Sequence, residues 1–264
     1  MLRKGVDASQ LPANVKVVRF RTWAYMKAMA SAEFLITNAR TDPHRIYWHK
    51  RRGQKYFMLW HAGVALKRIE ADAADKLSFS YLQRAKADSR ICDLMISGCR
   101  MQTTLQREKF WYDGEIAEFG SPRNDVFFNP KPEVLVKVRD MFSLPADQKL
   151  GLYAPTFRAD HSIEAYSLDA QRLHSACCER FGGNWTVLIR LHPNVAQQSK
   201  ELFAYDGCTV VDATMYPDMQ ELLSAADILI TDYSSIIFEY CVLLRPMVFF
   251  AYDLEIICKE NHRS

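Results

Sequence analysis

His61 stands at the end of an apolar run, Tyr56 to Trp60, and Gly63 follows it two residues on. Imidazole is the side chain best suited to take a proton near neutral pH, and a glycine beside it lets the backbone turn or approach a ligand closely. A buried structural histidine accounts for the same pattern. His192 lies in Arg190-Leu191-His192-Pro193-Asn194, where alternation on extended chain points Arg190 and His192 the same way while Leu191 packs. A guanidinium fork beside a protonated imidazole suits a diphosphate; a solvated strand edge is the plainer alternative. Thr156 and Arg158, just past the run Leu150 to Ala154, offer further donors to the same pocket, or in the case of Thr156 a loop cap. Thr231, Asp232, Ser234 and Ser235 crowd between the apolar runs Ile228 to Ile230 and Ile236 to Leu244. Hydroxyls and free N–H groups at a strand end and helix start suit phosphate, and they equally describe a capped helix with nothing bound. Glu239 follows Ser235 by one helical turn, placed for ribose hydroxyls or for the helix dipole. Arg123 and Asp125, after a Gly-Ser-Pro turn, read as structural, a salt bridge fixing the last loop of the first domain.

The elements that must position these groups alternate along the chain. In the first half, Val15 to Ala30 reads as a helix, Glu33 to Thr37 and Tyr56 to Trp60 as strands, and Lys76 to Ala87 as a helix. Asp93 to Ser97 then reads as a strand, Met101 to Phe110 as a helix and Glu115 to Phe119 as a strand. In the second half the strands are Leu150 to Ala154, Thr186 to Leu191, Thr209 to Val211, Ile228 to Thr231 and Met247 to Phe250. Helices at Leu168 to Phe181, Pro217 to Ala225 and Ile236 to Leu244 separate most of them. This alternation predicts an α/β fold with two parallel, Rossmann-like sheets. Asn129 to Gln148 carries Pro130, Pro132 and Pro145 around one short helix, which suits a domain connection and puts the boundary between 143 and 144. On that division 1–143 and 144–264 are the two domains. On a helix from Val15, Lys16, Arg19, Trp23 and Lys27 share one side, a basic stripe that fits an anionic membrane surface or a solvated face.

The composition, 49% hydrophobic and 25% charged over 264 residues, is that of a globular protein large enough for two domains. A net charge of +3, from 34 basic against 31 acidic residues, gives no footprint for nucleic acid. Seven cysteines, an odd number without C-x-x-C pairs, read as reduced thiols of a cytoplasmic protein. No apolar run reaches the roughly 18 residues of a membrane span, and the N-terminus lacks a signal-peptide core. No Asp-x-Asp pair or carboxylate cluster for Mg²⁺ accompanies the candidate residues, so no cofactor is expected.

Five segments in order, Leu59-Trp60-His61-Ala62-Gly63-Val64-Ala65-Leu66-Lys67, Gly120-Ser121-Pro122-Arg123-Asn124-Asp125, Tyr153-Ala154-Pro155-Thr156-Phe157-Arg158, Arg190-Leu191-His192-Pro193-Asn194 and Thr231-Asp232-Tyr233-Ser234-Ser235, carry a resemblance. Together they resemble the CDP-glycerol glycerophosphotransferases, which build or prime teichoic-acid-like and capsular polyol phosphates. The resemblance implies two Rossmann-like domains facing a cleft, the glycosyltransferase B arrangement, with the first domain on the acceptor side and the second binding the CDP donor. It implies that His61 is the general base and His192 a second catalytic group. Gly63, Thr156, Arg158, Arg190, Asn194, Thr231, Asp232, Ser234, Ser235 and Glu239 would then be substrate-binding. The implied donor is CDP-glycerol or a related CDP-polyol, the acceptor a lipid-linked polymer, and the place of work the cytoplasm or the inner face of the cell membrane. The likeness ends near Asp253, so the chain reads as truncated at both ends. A nucleotide-sugar glycosyltransferase of the same architecture and an inactive nucleotide-binding remnant are the alternatives.

Overall fold

A computed structural model of the chain describes residues 11–41, 49–61, 64, 68–129, 131–156, 166, 168–192, 195, 202–251 and 253–254. It divides into two compact units, Met1–Ser121 and Pro122–Ser264.

The first unit is built on a parallel sheet of β1 (Phe34–Thr37), β2 (Lys55–Met58), β3 (Leu94–Ser97) and β4 (Glu115–Glu118), in that spatial order. Around it lie α1 (Trp23–Ser31), α2 (Phe79–Ile91) and α3 (Arg100–Lys109). One sheet face carries Leu35, Tyr56, Met58 and Met95 into a core completed by Tyr25, Cys92, Phe110 and Tyr112. The opposite face is also apolar, with Ile36, Phe57 and Leu94 level across three strands. There Phe34 and Ile36 stay 54% and 62% exposed. Parallel sheets are ordinarily covered on both faces; on this one Phe57, Leu94 and Ile96 are half-buried and Ala117 is buried, and the apolar exposure is confined to the edge strand β1.

The second unit has α4 (Asp125–Phe128) and α5 (Pro132–Met141) ahead of five parallel strands. These are β5 (Lys149–Tyr153), β6 (Trp185–Ile189), β7 (Val210–Asp212), β8 (Ile228–Thr231) and β9 (Met247–Phe249), in the order β7-β6-β5-β8-β9. Residues alternate between two cores. Leu150, Leu152, Leu188 and Leu229 face α5 and α7 (Met219–Ala225), while Tyr153, Val187, Ile189, Ile228 and Ile230 face α6 (Ala170–Phe181). Burial on both faces explains why these strands read as unbroken apolar runs. The chain starts at the central β5, winds out through β6 and β7, and returns to the other side of β5 for β8 and β9. The order therefore reverses between β5 and β8.

Three expectations change. The first helix begins at Trp23, not Val15: Arg21 has a positive φ of 62° and Thr22 caps the helix by accepting from the Tyr25 N–H at 3.3 Å. Lys16 and Arg19 thus lie outside it, and the four-residue basic stripe is not one helix face; Trp23 (90% exposed) and Lys27 remain a turn apart. The proline-bearing segment is not a connection, because α5 packs into the second unit, with Val138 and Leu144 in the same core as Leu150. The compact units accordingly divide at Ser121, ahead of the expected 143/144 boundary. The last long helix is also shorter: α8 (Ile236–Tyr240) gives way to a 3-10 turn, Cys241–Leu243, ended by Leu244 at φ 52°.

Candidate active site

In the first unit, β2 stops at Met58, two residues before the expected end. Leu59 still donates its N–H to the Thr37 carbonyl at 2.8 Å, and then Trp60 adopts a φ of 58°. Such a conformation is strained for a bulky residue and persists only where its surroundings enforce it. It turns His61 out of the sheet and lays the His61 ring on the Trp60 indole, with centroids 4.3 Å apart. His61 is exposed, and its Nδ1 lies 3.1 Å from the Asn38 carbonyl oxygen, at the end of the neighbouring strand β1. A carbonyl only accepts, so Nδ1 carries the proton and the lone pair of the neutral ring sits on Nε2.

Behind this pair lies a buried ion cluster that the sequence did not announce. Arg40 Nη2 donates to Glu70 Oε2 at 3.0 Å, and Nη1 to Asp88 Oδ2 at 3.2 Å and Ser89 Oγ at 2.7 Å. The side chains of Glu70 and Asp88 are 1% and 0% exposed. Tyr81 donates to Glu70 at 2.6 Å, and Tyr56 to Asp88 at 3.1 Å. Burial works against the charge on Arg40, but Glu70 and Asp88 outweigh it and raise its pKa, so the guanidinium stays charged. Burial pushes the Asp88 carboxyl above its ordinary value, against the pull of Thr41 and Arg40. Acidic residues in polar stretches such as Ala-Asp-Ser give no sequence signal of this kind; only the fold brings Arg40, Glu70 and Asp88 together.

In the second unit the candidate residues gather where the strand order reverses, at the carboxyl ends of β5 and β8, the place where open α/β sheets bind ligands. Asp232, 4% exposed, accepts the N–H of Thr156 at 2.8 Å and of Tyr233 at 2.6 Å, and so sews the loop after β5 to the loop after β8. Thr231 adds a second stitch, donating its hydroxyl to the Ala154 carbonyl at 2.7 Å. Ser234 and Ser235 follow on the same loop, half-buried, and Ser235 makes no capping bond with its side chain.

Other expected residues have structural partners. Arg190 Nη1 donates to the carbonyls of Ala213, Thr214 and Tyr216 at 3.0, 2.9 and 2.6 Å, clamping the loop after β7. Burial draws its pKa below the ordinary arginine value, with Asp218 opposing. Arg190 and Leu191 lie just past the end of β6 at Ile189, and His192 beyond them is exposed. Glu239, expected at a ribose, is 4% exposed and faces Arg123 Nη1 at 3.4 Å and the Gln220 amide. Burial raises its pKa, while Arg123 and Gln220 pull it down. The salt bridge expected of Arg123 is thus found with Glu239, not Asp125, which opens α4. Gly63, Arg158 and Asn194 lie outside the described residues. Among the described residues no three His, Cys, Asp or Glu side chains cluster in a way that holds a metal ion.

The family model for CDP-glycerol:poly(glycerophosphate) glycerophosphotransferases matches residues 3–261. The chain belongs to this family. It is 32% identical over 266 residues to the teichoic acid poly(glycerol phosphate) polymerase of Staphylococcus epidermidis, covering 96% of this chain and 36% of that one. It is 29% identical to the teichoic acid glycerol-phosphate transferase of Staphylococcus aureus, covering 96% of this chain and 66% of the other. The solved wall teichoic acid polymerase TagF matches with a TM-score of 0.77 and 31% identity over 93% of this chain and 61% of TagF. The α/β fold with parallel sheets is therefore the family's own. The chain spans between about a third and two thirds of the length of these relatives.

Proposed function

We propose that this member of the family transfers glycerol phosphate, or a related polyol phosphate, from a CDP-linked donor to a hydroxyl of a lipid-linked teichoic-acid-like polymer or its primer. His61 Nε2 takes the proton of the acceptor hydroxyl. The acceptor oxygen forms its bond to the donor's β-phosphorus as the bond from that phosphorus to the bridging oxygen breaks, and CMP leaves with the electron pair. The observation that carries this reading is the seat of His61, whose Nδ1 faces a carbonyl and whose basic nitrogen is thereby Nε2. The loops at the carboxyl ends of β5 and β8 hold the donor diphosphate: the Ser234 and Ser235 hydroxyls and the N–H groups beside them donate, while Asp232 and Thr231 keep the two loops together. Arg190 serves by bracing the 213–216 loop, and the exposed His192 two residues on offers a hydrogen-bonding group to the leaving nucleotide. The acceptor being lipid-linked, the work takes place at the inner face of the membrane; among the described residues no helix is long and apolar enough to cross one.

The test is to supply CDP-glycerol and nucleotide sugars separately and follow release of CMP or nucleoside diphosphate. CMP release from CDP-glycerol alone is expected. His61→Ala should lower it by about 10²- to 10⁴-fold while leaving CDP-glycerol affinity by calorimetry near that of the wild type. Turnover with a nucleotide sugar instead, or an active His61→Ala protein, would replace this reading.

A further inference from the structure

The buried cluster around Asp88 reaches His61 by two routes. The first runs through the turn that presents the Asn38 carbonyl, whose flanks are both tied to Asp88. Upstream, the Thr37 hydroxyl lies 3.2 Å from the Tyr56 hydroxyl, which donates to Asp88 Oδ1 at 3.1 Å. Downstream, Arg40 donates to Asp88 Oδ2, and Thr41 donates both its N–H, at 3.1 Å, and its hydroxyl to Asp88 Oδ1. Asn38 sits in the middle, with its carbonyl aimed at His61 Nδ1. The second route runs through aromatic rings. The Arg40 guanidinium lies 5.0 Å from the Phe110 ring and 6.0 Å from the Trp60 ring. Phe110 meets Trp60 edge-on at 4.8 Å, and Trp60 carries His61 on its face. The positive φ of Trp60 is the strained point on this route, and the ring contacts are what hold it there.

We infer that Asp88 and Arg40 are positioning residues for the proposed base: by fixing the 37–41 turn and the Trp60 ring they hold His61 in one orientation, with its proton on Nδ1 and Nε2 left to take the acceptor's proton. A cluster that served stability alone would need neither the turn's carbonyl nor a strained tryptophan at the residue before His61. The inference rests on the role proposed for His61, and its test separates the two.

The probe is the tautomer of His61 in the 264-residue chain, read from ¹⁵N-histidine spectra in which its signals are assigned by loss in His61→Gln. In the wild type the neutral ring should carry its proton on Nδ1. Trp60→Asn tolerates the positive φ but removes the ring, and Asp88→Asn loosens the turn. Each should give a mixture of tautomers and lower kcat by about 10-fold or more, since small misplacements at a reacting group are costly, with KM for CDP-glycerol little changed. Trp60→Phe, which keeps an aromatic face, should restore the Nδ1-protonated form. If Asp88→Asn does not fold, the tryptophan pair decides by itself. A Trp60→Asn or Asp88→Asn protein with a lowered thermal midpoint but an unchanged tautomer and kcat would overturn the inference and leave a stability role only. Loss of activity in His61→Ala together with that result would keep the proposed base while rejecting its positioning; full activity in His61→Ala would reject the base itself.

Discussion

In the first unit a carboxylate, Asp88, holds its turn mainly through side chains, those of Arg40, Thr41 and Tyr56, with the Thr41 N–H beside them, in a largely buried cluster. In the second, Asp232 holds its loops through two backbone N–H groups at the ends of adjacent strands. Both carboxylates are buried, at 0% and 4% exposed. The difference lies in what is stranded when each is removed. Without Asp88 the Arg40 guanidinium keeps Glu70, but the Tyr56 hydroxyl and the Thr41 N–H and hydroxyl lose their acceptor together, and polar groups left unsatisfied in the interior are costly. Without Asp232 two amides are stranded near the surface of the sheet, where water can reach a loop.

The largest expected effect therefore follows Asp88→Ala. Several donors lose one buried acceptor at once, at about 1–3 kcal/mol for each that nothing else satisfies, and the loss should appear in the first unit, read by denaturant unfolding with hydrogen exchange on β2 and β3. CDP-glycerol affinity, which we propose lies in the second unit, should be retained under conditions where the protein is folded. Asp232→Ala should reverse that pattern, costing about 1–3 kcal/mol in all because water can pair the freed amides and weakening CDP-glycerol at least 10-fold in calorimetry. A drop in donor affinity in the Asp88 variant as large as in the Asp232 variant would break the comparison.

The two regions also differ in how much of them the sequence disclosed. Asp232 sits beside Thr231, Ser234 and Ser235 after an apolar run, and the rule that ligands gather at the carboxyl ends of parallel strands points to it directly. Strand β8 was legible to the residue because burial on both faces leaves an unbroken apolar run. Asp88 and Arg40 are 48 residues apart in the chain and surrounded by ordinary polar neighbours, so nothing local marks their pairing. Arg190 and Glu239 were legible as residues of the region, but their partners, backbone carbonyls of the 213–216 loop for one and Arg123 with Gln220 for the other, are set by packing that periodicity does not carry. The expected first helix starts eight residues too early because Val17, Val18 and Phe20 continue an apolar pattern that only the Thr22 cap and the positive φ of Arg21 interrupt.

A smaller effect tests whether the Ser234-Ser235 loop binds or merely caps. Ser235 makes no side-chain capping bond, so Ser235→Ala should leave the thermal midpoint unchanged. A hydroxyl hydrogen bond to the anionic diphosphate is worth about 1.5–3 kcal/mol, so binding of CDP-glycerol should weaken by roughly 10-fold or more. Unchanged affinity together with a lower midpoint would mean that the serine belongs to the fold and not to the pocket.

Asp206 supplies the smallest effect, and it isolates burial from hydrogen bonding. It uses the same means as Asp232, accepting the N–H groups of Cys208, Thr209 and Val210 at 2.9, 2.7 and 2.9 Å and the Thr209 hydroxyl, but it is exposed. What burial it has raises its pKa; the hydroxyl and the three amides outweigh that and hold the carboxyl well below its ordinary value. A carboxylate with a depressed folded pKa adds stability above its unfolded value, about 3.9, and that contribution is lost as pH falls through the folded value. Solvent screening keeps it to roughly 1 kcal/mol or less. Asp206→Asn should therefore be slightly less stable than the wild type at pH 7, and the gap between their urea midpoints should narrow as pH is lowered below about 4. A gap that stays constant down to pH 3 would mean that the turn is held by its shape and not by the charge on Asp206. In that case the contrast between Asp88 and Asp232 would have to be re-drawn in terms of packing instead of stranded polar groups.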